Sequence, residues 1–387
     1  MSTLRVEGIK NAAASSDAIT LAANGTCTAK VTNSLSNRNM IYNGAMMISQ
    51  RGTSQTGVNS SGFKKMPDRW RFGAAGSNIG TYTVSQAGDN PDAFTGGGKS
   101  LKVDCTTAHS SLASNERYVL EQNFEGFDCQ PILAGNSNAK KLTLSFWVKA
   151  YQTGTWIVHL DAAHSQRDCS ASYTINASGT WEKKTITFPA DTSGSYACSN
   201  AKNLVVKFGL LAGSQWNTGT LNTAWRSEAD SGSYTGQTNL ASSTNNYWQI
   251  TGVQLEVGDV ATDFEHRTYG DELLRCQRYY NRVFDMNGQS GEKPISLAVY
   301  ENGSILTTIF NFLEMRTIPS LDITNGTDKF MIRRQDGSDS FNTMTFRYGT
   351  RTTAELTISS NVSGNSGVVG MLRGAASDTY IAFSAEL

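Results

Sequence analysis

The sequence predicts an all-β protein: a jelly-roll sandwich, then a smaller β-sandwich, with a short linking helix and an extended segment in front. Three observations predict it. Only 17% of the 387 residues are charged, below the roughly 25% usual in soluble proteins, and Gly is abundant (36) while Pro is scarce (6). Apolar residues alternate with polar ones in short runs along most of the chain. That period of two gives way to three or four in one place, Asp271–Arg282. Apolar residues make up 39%, which excludes disorder.

Residues 1–40 differ from the rest. Leu4–Ile9 and Ala18–Leu21 read as short strands, but the segment has no aromatic residue and too little apolar area to fold alone. It needs a neighbour: the next domain, an identical chain or a larger assembly. Residues 41–268 carry strand patterns at Tyr82–Gln86, Ser100–Cys105, Tyr118–Asn123, Lys141–Ala150, Trp156–Asp161, Ala171–Ile175, Glu182–Phe188, Leu204–Leu211 and Tyr247–Val257. Within Lys141–Ala150, Leu142, Leu144, Phe146 and Val148 share one face and Trp147 takes the other. Strict alternation in Tyr247–Val257 puts Gln249, Val253 and Leu255 on one face and Trp248 and Ile250 on the other. Between Ala212 and Asn246 lies a long polar insertion with Trp216, Trp225 and Tyr234. Asp271–Arg282 spaces Leu273, Leu274, Gln277 and Tyr280 as a helix after an Asp cap. Beyond it, residues 269–387 add strands at Ser296–Tyr300, Ile305–Leu313, Ser320–Thr324, Lys329–Arg334, Thr343–Tyr348, Glu355–Ser359 and Tyr380–Glu386.

Lys plus Arg and Asp plus Glu are equal at 33 each, and no basic stripe stands out. That pattern argues against nucleic acid or anionic lipid as partner. No apolar run reaches the roughly 18 residues of a membrane span, and the N-terminus lacks an export signal's apolar core. The six cysteines are scattered without a C-x-x-C pair, leaving Cys169 with Cys198 as the one pairing to weigh. His109, His159, His164 and His266 show no metalloenzyme spacing, and neither a G-x-S-x-G elbow nor a P-loop occurs. Paired carboxylates for glycoside hydrolysis are set by space rather than sequence; Glu121, Glu125, Asp161, Asp168 and Glu228 are the candidates. Nothing in the chain repeats.

Asn37–Gly52, Asp68–Trp70, Trp248–His266 and Glu272–Tyr280, with its Cys-Gln-Arg-Tyr-Tyr run, resemble tail-fibre and appendage proteins of tailed phages, particularly those of marine bacteria and cyanobacteria. The Leu4–Ala13 start also resembles virion-attachment segments of such phages. The resemblance implies three parts: residues 1–40 attach to other virion proteins, 41–268 form a jelly roll like carbohydrate-binding modules, and 269–387 form a β-rich C-terminal domain. It further implies a homotrimer, assembled in the host cytoplasm into the virion, that is not an enzyme and meets host surface glycans. A capsid decoration or collar protein is the structural rival. A polysaccharide depolymerase is the enzymatic one, although such tailspikes are usually repetitive β-helices.

Sugar binding needs flat aromatic faces beside amide or carboxylate partners. Trp156, Tyr173, Trp181, Tyr196, Trp216 and Trp225 form the pool, while Trp70 and Trp248 read as core anchors. Trp216 and Trp225 lead as ligand candidates because a polar loop has little other reason to hold indoles, with Trp156 and Tyr196 beside them. The competing role for the two loop indoles is to pin the insertion onto the sandwich or a neighbouring subunit. The likeness to carbohydrate modules is also compatible with a structural calcium, for which Asp259, Asp263 and Glu265 offer oxygen ligands.

Overall fold

The alternating segments become strands because one row of side chains on each is apolar and leaves water together. A computed structural model of the chain describes residues 37–59, 66–94 and 98–387, with 8–9, 12, 19–21, 23 and 27–29 before them. In chain order the strands are β1 (Gly8–Ile9), β2 (Ile19–Leu21), β3 (Cys27–Ala29), β4 (Ser54–Val58), β5 (Arg71–Ala75), β6 (Thr81–Ala87), β7 (Ser100–Thr107), β8 (Arg117–Glu125), β9 (Leu142–Ala150), β10 (Gly154–Ala162), β11 (Arg167–Ile175), β12 (Glu182–Phe188), β13 (Lys202–Ala212), β14 (Arg226–Ser227) and β15 (Tyr247–Val257). After helix α1 (Tyr269–Gln277) come β16 (Tyr280–Asp285), β17 (Lys293–Asn302), β18 (Ile305–Asn311), β19 (Ser320–Ile323), β20 (Phe330–Arg334), β21 (Gly337–Phe341), β22 (Thr345–Gly349), β23 (Thr353–Ile358), β24 (Val369–Gly374) and β25 (Tyr380–Ser384).

Two six-stranded antiparallel sheets face each other, ordered β12-β9-β15-β7-β6-β4 and β14-β11-β10-β13-β8-β5. Eight of these strands, taken in chain order from β7 to β13 and then β15, are dealt between the sheets as 6-3-8-1 and 5-4-7-2. This is the jelly-roll order, so the expected sandwich is the observed one. Its core unites Leu142, Leu144, Phe146 and Val148 of the first sheet with Trp156, Val158, Leu204, Val206 and Phe208 of the second. Trp70 and Trp248 lie in the same core without exposed surface.

β15 departs from strict alternation. Its register against β9 gains one residue between Thr251 and Gln254. Gly252 sits there at φ +60, a left-handed conformation that glycine adopts without a side-chain clash. The bulge reverses the parity, so Trp248 and Ile250 point inward and so do Val253 and Leu255. A Cβ at Gly252 would also press on the Phe94 ring and Trp147.

A second core gathers Tyr300, Leu306, Phe310, Phe330, Ile332, Phe341, Leu356 and Leu372 with Ile381 and Phe383. It lies between a seven-stranded sheet, β21-β20-β24-β17-β18-β23-β22, and a three-stranded one, β16-β25-β19. The helix before it starts two residues earlier than expected, with Thr268 as cap accepting from the Asp271 amide (3.2 Å), and ends at Gln277. Arg278 then forks onto Glu125 of β8 (2.8 and 2.7 Å) and Tyr279 and Tyr280 are both buried, which pulls the chain from helix into β16. Of the N-terminal expectations, Gly8–Ile9 and Ile19–Leu21 pair as strands, and Cys27–Ala29 joins them. Leu4–Glu7 and Ala18 lie outside the described residues.

Glu182, at the start of β12, accepts from the Asn176 and Ala177 amides (2.8 and 2.9 Å), Asn176 Nδ2 (2.9 Å) and Lys184 Nζ (2.6 Å). Burial raises its pKa, but the Lys184 and amide donors outweigh it and hold the carboxyl at about 2. The folded value is depressed, so this stability is present above pH ~4.3 and is lost as pH falls towards 2. Glu182→Gln should therefore cost about 2 kcal/mol at pH 7 and little at pH 2, read from urea unfolding at the two values.

Candidate glycan-binding face

The outer face of the first sheet assembles its side chains by register. Lys149 of β9, Gln249 of β15 and Lys102 of β7 stand in one row. One step towards one end, Tyr247 stands opposite Asp104; one step the other way, Thr251 stands opposite Trp147. Trp181 immediately precedes β12, whose Glu182 pairs with Val148, so the indole falls beside Lys149. Asp89, just past β6, ties the row together. It accepts from Lys149 Nζ (2.7 Å) and Trp181 Nε1 (3.2 Å), and the Gln249 amide also bonds to it. Burial pushes the Asp89 carboxyl up, but these donors pull it below the usual carboxylate range, so it stays an acceptor.

Four rings frame this polar row. Tyr151, about half exposed, lies 6.4 Å from Tyr247, centroid to centroid, at one end. Trp147 lies at the other end and Trp181 flanks the row beside Lys149, both half-buried. Lys102 Nζ sits 5.0 Å over Tyr247 and 2.7 Å from Asp104, so both lysines of the row are balanced by acids. Gln249 is only 2% exposed and its Oε1 has no partner. A buried acceptor left unpaired in mid-row is costly.

The outer face of the second sheet is closed by the insertion. Trp216 and Tyr234 pack on Val119, Ile157 and Ala212, and Trp216 retains 5% exposure. Its indole N–H donates to Asp230 (3.0 Å), and the Arg117 guanidinium covers its ring at 4.6 Å. Trp225 is half-buried against the main core and donates to the Pro189 carbonyl (2.8 Å). These contacts are those of the pinning role. Trp156 lies inside the sandwich with no exposed surface, and Tyr196 packs on the same core with its hydroxyl buried. The sequence-chosen rings thus fall in three separate places; Trp181 alone from the pool joins Trp147 on the open face.

The candidate carboxylates do converge, on the second sheet, but with cations attached. Glu121 holds Arg71 (2.6 Å), Asp161 holds Lys207 (2.6 Å), Asp168 holds Arg226 (2.8 Å) and Glu125 holds Arg278 (2.7 Å). Glu228 stands apart: burial and the nearby Asp161 push its carboxyl up. His159, under Tyr234 at 5.3 Å, is buried, which drives its pKa well below the ordinary value; its Nδ1 meets Ser170 Oγ (2.9 Å).

The acids proposed for calcium go different ways. Asp259 faces Lys141 (3.7 Å), Glu265 accepts from the Asn39 amide (3.0 Å) and Arg267 (3.2 Å), and the Asp263 carbonyl accepts from Arg38 (2.8 Å). Among the described residues no three His, Cys, Asp or Glu side chains are grouped to hold a metal. Cys169 is buried and Cys198 exposed, both as free thiols. Among the described residues no helix is long and apolar enough to cross a membrane.

No protein-family model matches the sequence, and no curated protein does. Similar solved structures include the enzymatically active domain of bacteriophage CBA120 tailspike protein 4 (12% identity, TM-score 0.31), with 57% of this chain and 21% of that one covered. They also include a CBM4 structure (14% identity, TM-score 0.27, 56% and 99% covered). A third is TmCBM61 in complex with β-1,4-galactotriose (10% identity, TM-score 0.27, 57% and 99% covered). The chain thus spans about a fifth of the tailspike domain it matches. The strand order given above carries the fold assignment.

Proposed function

We propose that the chain is a glycan-binding, non-catalytic subunit of a tailed-phage fibre or appendage, homotrimeric and joined to the particle through residues 1–40. The observation that carries the binding role is the ring-framed polar row on the first sheet. Pyranose C–H groups stack on indole and phenol faces, and sugar hydroxyls both donate and accept. Asp89, Lys149, Lys102 and Asp104 supply such partners at the surface, over the buried Gln249. Tyr247 and Thr251, which faces Trp147, are four residues apart on β15, about 13 Å of strand. That length fits a short oligosaccharide better than one sugar. Balanced charge along the row favours a neutral glycan. Each contact is weak, and several copies on one particle multiply it.

The test is titration of the protein with host-surface oligosaccharides, wild type against Trp147→Ala with Trp181→Ala. Two stacking rings at roughly 1 kcal/mol each predict a loss of at least about tenfold in affinity. Unchanged affinity would remove the site. Binding to the virion rests on the sequence resemblance; a cryo-EM map locating the protein on tail, collar or capsid decides between the fibre and decoration roles. One observation favours a second reading, depolymerase: Glu228 lines a surface cleft with Gln166 and Asp230, where burial raises its carboxyl pKa. Reducing ends released from host polysaccharide by wild type and not by Glu228→Gln would establish it.

A further inference from the structure

The seven-stranded sheet packs one face on the second core and leaves the other apolar. Leu297 and Val299 of β17, Ile309 of β18, and Val369 and Met371 of β24 all point away from Ala298, Tyr300, Leu306, Phe310 and Leu372, which are buried. Their exposures run from 38% for Val299 to 65% for Leu297. These are central strands, so the residues form one contiguous patch rather than scattered apolar positions. Pairing places Met371 beside Leu297 and Val369 beside Val299; two steps from the Val299–Thr307 pair, Ile309 falls beside Leu297.

The ends of the same row are oppositely charged. Arg333 pairs in register with Met371 on one side, and Glu355 with Ile309 on the other. At the Arg333 end, Arg333 and Arg373 share the single acid Glu292 (2.8 and 3.6 Å). At the Glu355 end, Glu355 and Glu301 share the single guanidinium Arg347 (3.3 and 2.6 Å). One end is therefore net positive and the other net negative across about 19 Å of sheet.

We infer that this face is an interface between copies of this chain, arranged about a symmetry axis parallel to its strands. Such an axis brings the Arg333 end of one copy against the Glu355 end of the next and covers the apolar middle. Seven strands at about 4.8 Å spacing and about 20 Å length present roughly 600 Å² in projection. That approaches the ~800 Å² each partner gives to a standard interface. A two-fold axis stacks the two faces over their whole area, while a three-fold axis joins the unlike ends at its corners and gathers the apolar middles around the axis. This interface is independent of the glycan reading, because the ring-framed row belongs to another sheet.

Analytical ultracentrifugation of the full chain over a concentration series tests it. The wild type should sediment as a dimer or trimer. Leu297→Asp with Ile309→Asp should sediment as a monomer while keeping its circular dichroism and its per-chain glycan affinity. Arg333→Glu and Glu355→Arg should each weaken association about tenfold, and the two together should restore it to within about threefold. A wild type monomeric at ~100 µM, an oligomer that survives the aspartates, or a double reversal as weak as the single ones would each overturn the inference.

Discussion

Arg69→Met is expected to lower folding stability by about 3–5 kcal/mol. Arg69 follows the buried Asp68 and is itself only 4% exposed, between the sandwich and the C-terminal strands. Its Nη1 donates to Glu386 (2.7 Å) and its Nη2 to the Asn123 carbonyl (2.7 Å). The guanidinium lies 3.3 Å from the Tyr279 ring centroid and 5.3 Å from that of Tyr42. One planar cation thus binds β8, the residues after α1 and the end of β25. Methionine fills much of the volume but removes the donors to the Asn123 carbonyl and to Glu386, whose salt bridge to Arg51 (3.2 Å) remains. Arg69→Lys keeps the charge and loses the fork and the stacking, so it should fall between wild type and methionine. Urea unfolding followed by tryptophan fluorescence, with amide exchange over 380–387, reads the effect. With two cores the transition need not be two-state, so the exchange data locate the loss. A methionine variant within about 1 kcal/mol of wild type would mean that the two cores do not lean on this residue.

The part of the fold legible in the sequence was the part written in side-chain alternation. All nine strands expected in the sandwich form, among β6 to β15, because each carries apolar residues at period two, from the single pairs Tyr82 with Val84 and Ile186 with Phe188 to the four of Leu142–Val148. Three of those not foreseen lack that pattern. β4 is Ser-Gln-Thr-Gly-Val, β21 is Gly-Ser-Asp-Ser-Phe, and β14 has two residues; each exists because a neighbour offers an open edge. β16 was hidden under a helical period that its tyrosines continue by coincidence; burial of Tyr279 and Tyr280 decides it. The Gly252 bulge was equally invisible, since one inserted residue changes every later side chain's face without changing composition.

The candidate binding face was half legible. Alternation alone places Trp147 away from the core, and Trp181 is in the pool of sugar-stacking rings. Gln249, Asp89 and Lys149 come from sequence positions up to 160 apart and meet only through cross-strand register. No local signal marks them. The insertion misleads for a physical reason: indoles in a polar loop look like ligand contacts until the apolar spots beneath them, Val119 and Ile157, are known to face outward.

That reversal makes Trp216→Ala the sharpest test of the insertion's role. Its ring is the largest side chain of the small cluster with Tyr234, Val119, Ile157 and Ala212, and it keeps 5% of its surface exposed. Removing it empties that cluster, leaves Asp230 without its indole donor and takes the stacking partner from Arg117. Large-to-small changes of this kind cost about 3–5 kcal/mol. The insertion's remaining ties are mostly polar, with Gln237 accepting from the Ile157 amide (2.9 Å) and Arg226 held by Asp168 (2.8 Å), beside the Tyr234–His159 ring contact and the packing of Trp225. The loss should therefore appear first as local opening, with faster amide exchange over residues 213–238 and slight change in the main core. Glycan affinity should stay within about twofold, because the ring-framed row lies on the opposite sheet. The reverse outcome, affinity lost while exchange over 213–238 is unchanged, would move binding from the first sheet to the insertion, where Trp216 would then act through its exposed edge.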